Sequence, residues 1–81
     1  MRYTVVLEPT RESDHPGWYY AHVPALDLTT HGASVEGALA AAKELVEGWI
    51  AELKSRGESI PVEGAGFVGQ IEIAEDALHS P

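Results

Sequence analysis

A small α+β domain of element order β-β-β-α-β is what this chain predicts, with a mainly antiparallel sheet and one long helix packed on one face of it. Two observations carry that expectation. Residues 2–31 hold three short apolar runs of period two separated by Pro- and Gly-containing breaks, and residues 35–56 hold one long run of period 3.6. A helix with a single apolar stripe must bury it against another element, and the sheet is the partner available.

In the first run, Tyr3, Val5 and Leu7 alternate with Thr4, Val6 and Glu8, which predicts a strand over 2–8. The stretch "PTRESDHPG" (9–17) has two prolines, a glycine and mixed charges and reads as a loop. "WYYAHV" (18–23) predicts a second strand with Trp18, Tyr20 and His22 opposite Tyr19, Ala21 and Val23. A strand apolar on both sides is expected to be covered on both sides. Pro24 ends it, and "LDLTTH" (26–31) gives a third strand with Leu26, Leu28 and Thr30 on one face. Loops this short between strands predict an antiparallel meander.

Gly32-Ala33 breaks the alternation, and Ser34 is the expected N-cap, its hydroxyl accepting from an amide of the first helical turn. Glu36 lies in that turn, where the helix dipole favours negative charge. A full capping box wants Glu or Gln at position 37, which here is Gly37. From 35 to about 56, Ala38, Leu39, Ala42, Leu45, Val46, Trp49, Ile50 and Leu53 recur within an arc of roughly 140°. Lys54 and Arg56 suit the C-terminal end of the dipole, and Gly57 suits the position just past the last turn. "ESIPVEGAG" (58–66) is a linker, and "FVGQIEI" (67–73) predicts the last strand, with Phe67, Ile71 and Ile73 on one face. "AEDALHSP" is a short acidic tail, helical or frayed.

The bulk numbers bound function. Eighty-one residues without internal repeat make a single domain, 1–81, with a core so modest that self-association or a partner often completes it. Thirteen acidic against five basic side chains give a formal charge of −8, which repels nucleic-acid phosphate and suits a basic protein partner. There is no cysteine, so disulfide frameworks and thiolate metal sites are excluded. No apolar run approaches the roughly 18 residues of a membrane span, and the apolar part of the N-terminus is too short for a signal peptide. A soluble cytoplasmic protein is the expectation.

No catalytic pattern emerges. His15, His22, His31 and His79 form no HxH, HxxxH or HExxH spacing, and His22 and His31 approach one another only if strands two and three pair in a suitable register. Glu8, Asp27, Glu36 and Glu72 lie on different elements, and strand carboxylates ordinarily face water. Ser34 lacks a G-x-S-x-G elbow, Gly64-Ala65-Gly66 precedes a strand instead of a helix, and few cations accompany Trp18, Tyr19 and Tyr20. No cofactor or metal site is expected. Opposite the apolar stripe, however, Gly37, Ala41, Glu44, Gly48 and Ala51 follow one another in steps of four and three. Glycine costs a helix interior about 1 kcal/mol relative to alanine, so this small-residue seam is a candidate for close approach by a partner or a second copy. Glu36, Glu47 and Glu52 against Lys43 and Lys54 make the polar positions partly salt-bridged and partly an acidic docking surface, with Glu44 and Glu47 at its centre.

The ordered set Gly17, Tyr19, Val23, Pro24, Leu26, Gly32, Ser34, Glu36, Ala38, Gly57, Ile60 and Pro61 resembles the HicB-like antitoxin domain, across roughly residues 2–75. In that family a Gly-aromatic strand ends in Val-Pro, and Gly-x-Thr/Ser-x-Glu-x-Ala opens a long helix that a Gly-x-x-Ile-Pro linker follows. The resemblance implies a degenerate ribonuclease-H-like fold without catalytic carboxylates. It further implies a non-enzymatic antitoxin that masks a small basic HicA-type mRNA interferase and forms a homo-oligomer, dimer or tetramer. Gly17, Tyr19, Pro24, Gly32, Ser34, Glu36 and Ala38 would then be structural signature positions. The chain shows no C-terminal DNA-binding module, so direct contact with nucleic acid is not expected. The rival expectations are an oligomeric domain without a toxin, and a residual metal-dependent nuclease using Glu8, Asp27 and Glu36.

Overall fold

The structure, a computed structural model, describes residues 1–11, 16–64, 66 and 69–78. Three strands, β1 (Val6–Pro9), β2 (Trp18–Val23) and β3 (Leu28–Ala33), form an antiparallel meander in the order β1-β2-β3. The helix α1 (Val35–Ser55) then crosses one face of this sheet, and a single turn, α2 (Glu75–Leu78), closes the described chain. The three-strand sheet with one long helix is the α+β arrangement that the two periodicities predict.

β1 starts later than the alternation implies because its partner runs out. Val6 pairs with His22, one residue before the end of β2, after which Pro24 opens a 3-10 turn (Pro24–Leu26) and the chain leaves the sheet. Met1–Val5 therefore has little strand opposite it. The same turn delays β3: Asp27 takes a left-handed conformation at φ 51° and donates its N–H to the Pro24 carbonyl at 3.2 Å, so the strand begins at Leu28 instead of Leu26. Leu26 is still half-buried against the core.

Alternation sets the faces. Tyr19, Ala21 and Val23 of β2 point to the helix together with Tyr3, Val5, Leu7 and Leu28, and Ala21 and Val23 are buried. From the helix come Ala38, Ala42, Val46 and Leu53, all buried. On the opposite sheet face, expected to be covered, Val6, Glu8, Tyr20, Thr29 and His31 are exposed, while Trp18 and His22 are half-buried. The last predicted strand also differs. Its described residues 69–73 form no strand, and Phe67 and Val68 lie outside the described residues.

The helix is held closest at its start. A Cβ built on Gly32 would lie 2.5 Å from the Ala38 nitrogen and 2.5 Å from the Gly37 carbonyl carbon, both backbone atoms. Only the absence of a side chain lets β3 and the first turn of α1 approach this far. Ser34 caps the helix as the sequence predicts, its Oγ accepting from the Gly37 N–H at 3.0 Å. Its N–H donates to the Gly17 carbonyl at 3.0 Å, which ties the helix start to the β1–β2 connection. That position comes with φ 102° and ψ 165°, a region suited to glycine. At the other end Gly57 is left-handed at φ 70°. There Gly57 N–H donates to Lys54 (3.1 Å) and Glu58 N–H to Leu53 (2.9 Å), the paired bonds of a Schellman stop.

Two stability measurements follow. Gly32→Ala must push β3 from α1 and is expected to lose about 1–3 kcal/mol by urea denaturation. Ser34→Ala is expected to cost about 1 kcal/mol, because it removes the cap and leaves the backbone strained. Ser34→Gly relieves the positive φ and should sit above Ser34→Ala in the same titration; the reverse order would remove backbone strain from the account.

Candidate interaction surfaces

Three surfaces stand out. The first is the outward side of α1. Glu44, Glu47, Gly48 and Ala51 are exposed and Ala41 is half-buried, and apart from the helix's own nearby backbone no described atom lies within 4 Å of where a Gly48 side chain would begin. Gly37, which the helical steps put on the same seam, is placed elsewhere. It is half-buried, with its would-be Cβ 3.8 Å from the Gly32 carbonyl carbon, because the first turn is pressed against β3. The exposed seam therefore starts a turn later. Near its end Arg56 Nε meets Glu52 Oε1 at 2.8 Å, and the Arg56 guanidinium carbon lies 5.9 Å from the Trp49 ring centre. Both members of that ion pair are about half exposed, so it contributes little to stability.

The second is the open sheet face. Register places Val6, His22 and Thr29 in one cross-strand row and Glu8, Tyr20 and His31 in the next, with Trp18 opposite Ala33 beyond them. His31 lies between two aromatics, its ring centre 5.4 Å from that of Trp18 and 6.5 Å from that of Tyr20, the latter edge-on. His22 Nδ1 shares a hydrogen bond with Thr29 Oγ1 at 2.7 Å. Strand pairing thus brings His22 and His31 onto one face, two residues apart in register. The period-two pattern of Trp18, Tyr20 and His22 held this signal, but the aromatic content favoured a covered face.

The third surface is a groove of about 290 Å³ between the Met1–Val5 run and the helix, lined by Met1, Tyr3, Val5, Leu39, Val46 and Ile50, with Lys43 and Glu47 also bordering it. It exists because α1 packs over β3 and β2 and leaves the β1 side less covered. At its edge, the Glu63 carboxylate accepts from the Thr4 N–H (2.6 Å) and from the Thr4 hydroxyl (2.7 Å), while the Tyr3 hydroxyl donates to the Pro61 carbonyl. Nothing in the sequence singled out Glu63, one of two acids in the linker.

The remaining candidate residues stay apart or are structural. Asp27 and Glu36 flank opposite ends of β3, a separation on the order of 20 Å at about 3.3 Å per strand residue, and Glu8 faces the open side of the sheet. Among the described residues no group of three or more His, Asp or Glu side chains is placed to hold a metal ion. Glu72 is exposed on the unpaired segment, and His15 and His79 lie outside the described residues. Of the signature positions, Gly17 (φ 83°) turns the first hairpin, Tyr19 faces the core, and Pro24 starts the 3-10 turn. Gly32, Ser34 and Ala38 build the helix start, and Glu36 is exposed in its first turn. No described helix is long and apolar enough to cross a membrane.

The Thr4 amide, and secondarily its hydroxyl, hold the Glu63 carboxyl below the ordinary glutamate value. A carboxyl whose folded value is depressed contributes stability above its unfolded pKa and loses it as pH falls through the folded one. The Thr4 amide resonance is therefore expected to shift in acid, with a midpoint below that of a glutamate in an unfolded peptide. Glu63→Gln should flatten that titration.

No protein-family model matches the chain, and neither a curated protein nor a solved structure matches it.

Proposed function

We propose that this chain is a non-catalytic binding protein of the HicB-like antitoxin kind, acting in the cytoplasm, which neutralises a small basic HicA-type mRNA interferase by masking it. The observation that carries this reading is the uncovered outer side of α1, where Glu44 and Glu47 stand beside Gly48 and Ala51. Small residues there leave room for a partner's long cationic side chains, and the carboxylates supply the opposite charge. The net charge of −8 acts in the same sense at longer range. Such complementarity raises the encounter rate and rejects acidic partners more than it adds affinity. The ordered signature from Gly17 to Pro61 supports the family reading, and the separation of Asp27 from Glu36 favours binding over metal-dependent hydrolysis.

The test is to recover tagged chain from its native cytoplasm and identify what co-purifies. A small basic protein whose RNA cleavage this chain suppresses is the expected result. With that protein in hand, Glu44→Lys with Glu47→Lys should slow association about tenfold or more at low salt, with a smaller effect as salt rises. Recovery of the chain alone, at demonstrated sensitivity, would overturn the reading.

A further inference from the structure

We propose that the groove between Met1–Val5 and α1 is filled by residues 69–73 of a second copy of this chain, each copy donating its segment to the other. The inference does not depend on the antitoxin reading.

The two halves of the contact are both exposed in one chain. In the groove, Met1 is 79% and Leu39 41% exposed, although both are large and apolar. On the segment, Ile71 is 87% and Ile73 55% exposed. Gln70-Ile71-Glu72-Ile73 has the period-two pattern of a strand with one apolar side, yet its residues pair with no strand. Among the described residues β1 pairs only with β2, which leaves its other edge available to an added strand. Charge agrees with this placement. Lys43 borders the groove next to Glu47 and Arg2 lies between two of its lining residues, while on the segment Glu72 stands between the isoleucines and Glu75 follows them.

The chain's own route favours a second copy as donor. Tyr3 contacts Pro61 and Thr4 contacts Glu63, so the linker passes this edge in the same direction as β1. Within this chain Ile71 and Ile73 stay exposed instead of filling the groove, while the linker is held at its edge through Pro61 and Glu63. A neighbour's segment enters without releasing the Glu63–Thr4 contact. Reciprocal exchange of one segment for one groove closes with two-fold symmetry, leaving no third site.

The absence of cysteine allows a direct test on the purified chain. Leu39→Cys and Ile71→Cys are prepared as separate variants, mixed, and oxidised. A covalent dimer of twice the chain mass is expected from the mixture and not from either variant alone. Ile71→Asp with Ile73→Asp should weaken the dimer at least tenfold by light scattering while the helical circular dichroism stays unchanged, since one buried isoleucine is worth about that much. No covalent dimer from the mixture, or a disulfide closing within one chain when both cysteines are placed together, would overturn the proposal.

Discussion

The approach of β3 to the first turn of α1 at Gly32 is the constraint on which the rest of the fold depends. Its would-be side chain meets the Gly37 and Ala38 backbone at 2.5 Å, so the helix start is fixed by main-chain contact. The helix residues that meet it there are small for the same reason, Gly37, Ala38 and Ala42, while its cross-strand partner on β2 is Tyr19. Farther along, where the helix has larger residues, Val46, Ile50 and Leu53 fill the space. Ser34 adds the polar half of this junction. It bonds Gly17 on one side and caps the helix on the other, at the cost of a backbone angle that an L residue adopts with strain. One serine thereby links hairpin, strand and helix. The Gly-x-Ser-x-Glu-x-Ala run reads physically as close approach, cap, dipole charge and buried contact.

The parts legible in the sequence were those with a repeated period or a local stop signal. The inward set of β1 and β2, the span of α1 and its ends at Ser34 and Gly57 all follow from residue order, because each depends on neighbours within about four positions. What was not legible depended on where the sheet ends. Pro24 displaced β3 by two residues through a 3-10 turn, and the short β2 left Met1–Val5 largely unpaired. The aromatic face of β2 misled for an instructive reason. Trp18 and Tyr20 cover one another's surroundings with His31, so a strand can be apolar on both sides while only one side lies under a helix. Gly37 misled similarly, since a helical wheel gives angles but not the height at which the sheet comes closest. The Glu63–Thr4 contact joins positions 59 residues apart in sequence, and the groove joins the Met1–Val5 run to the middle of α1, both beyond any local pattern.

These surfaces are unlike in chemistry, and that bears on how they would share partners. The outer side of α1 is acidic, the open sheet face is aromatic with two histidines and one carboxylate, and the groove is apolar with Lys43 and Glu47 at its border. A chain with a formal charge of −8 is repelled by its own copy at long range. Self-association would therefore have to rest on short-range burial, for which the exposed isoleucines and the groove are available, with Arg2 and Lys43 beside Glu47 where the acidic segment would lie. A cationic protein meets the opposite balance, attracted at long range by the whole chain and contacted locally by Glu44. Because Glu47 borders both the helix surface and the groove, the two contacts are adjacent and not independent. A dimer formed through the groove would fix that glutamate in the rim of the acidic face and double the negative charge presented to one partner. In such a dimer the acidic surface offered to a cationic partner would be larger than that of either chain alone.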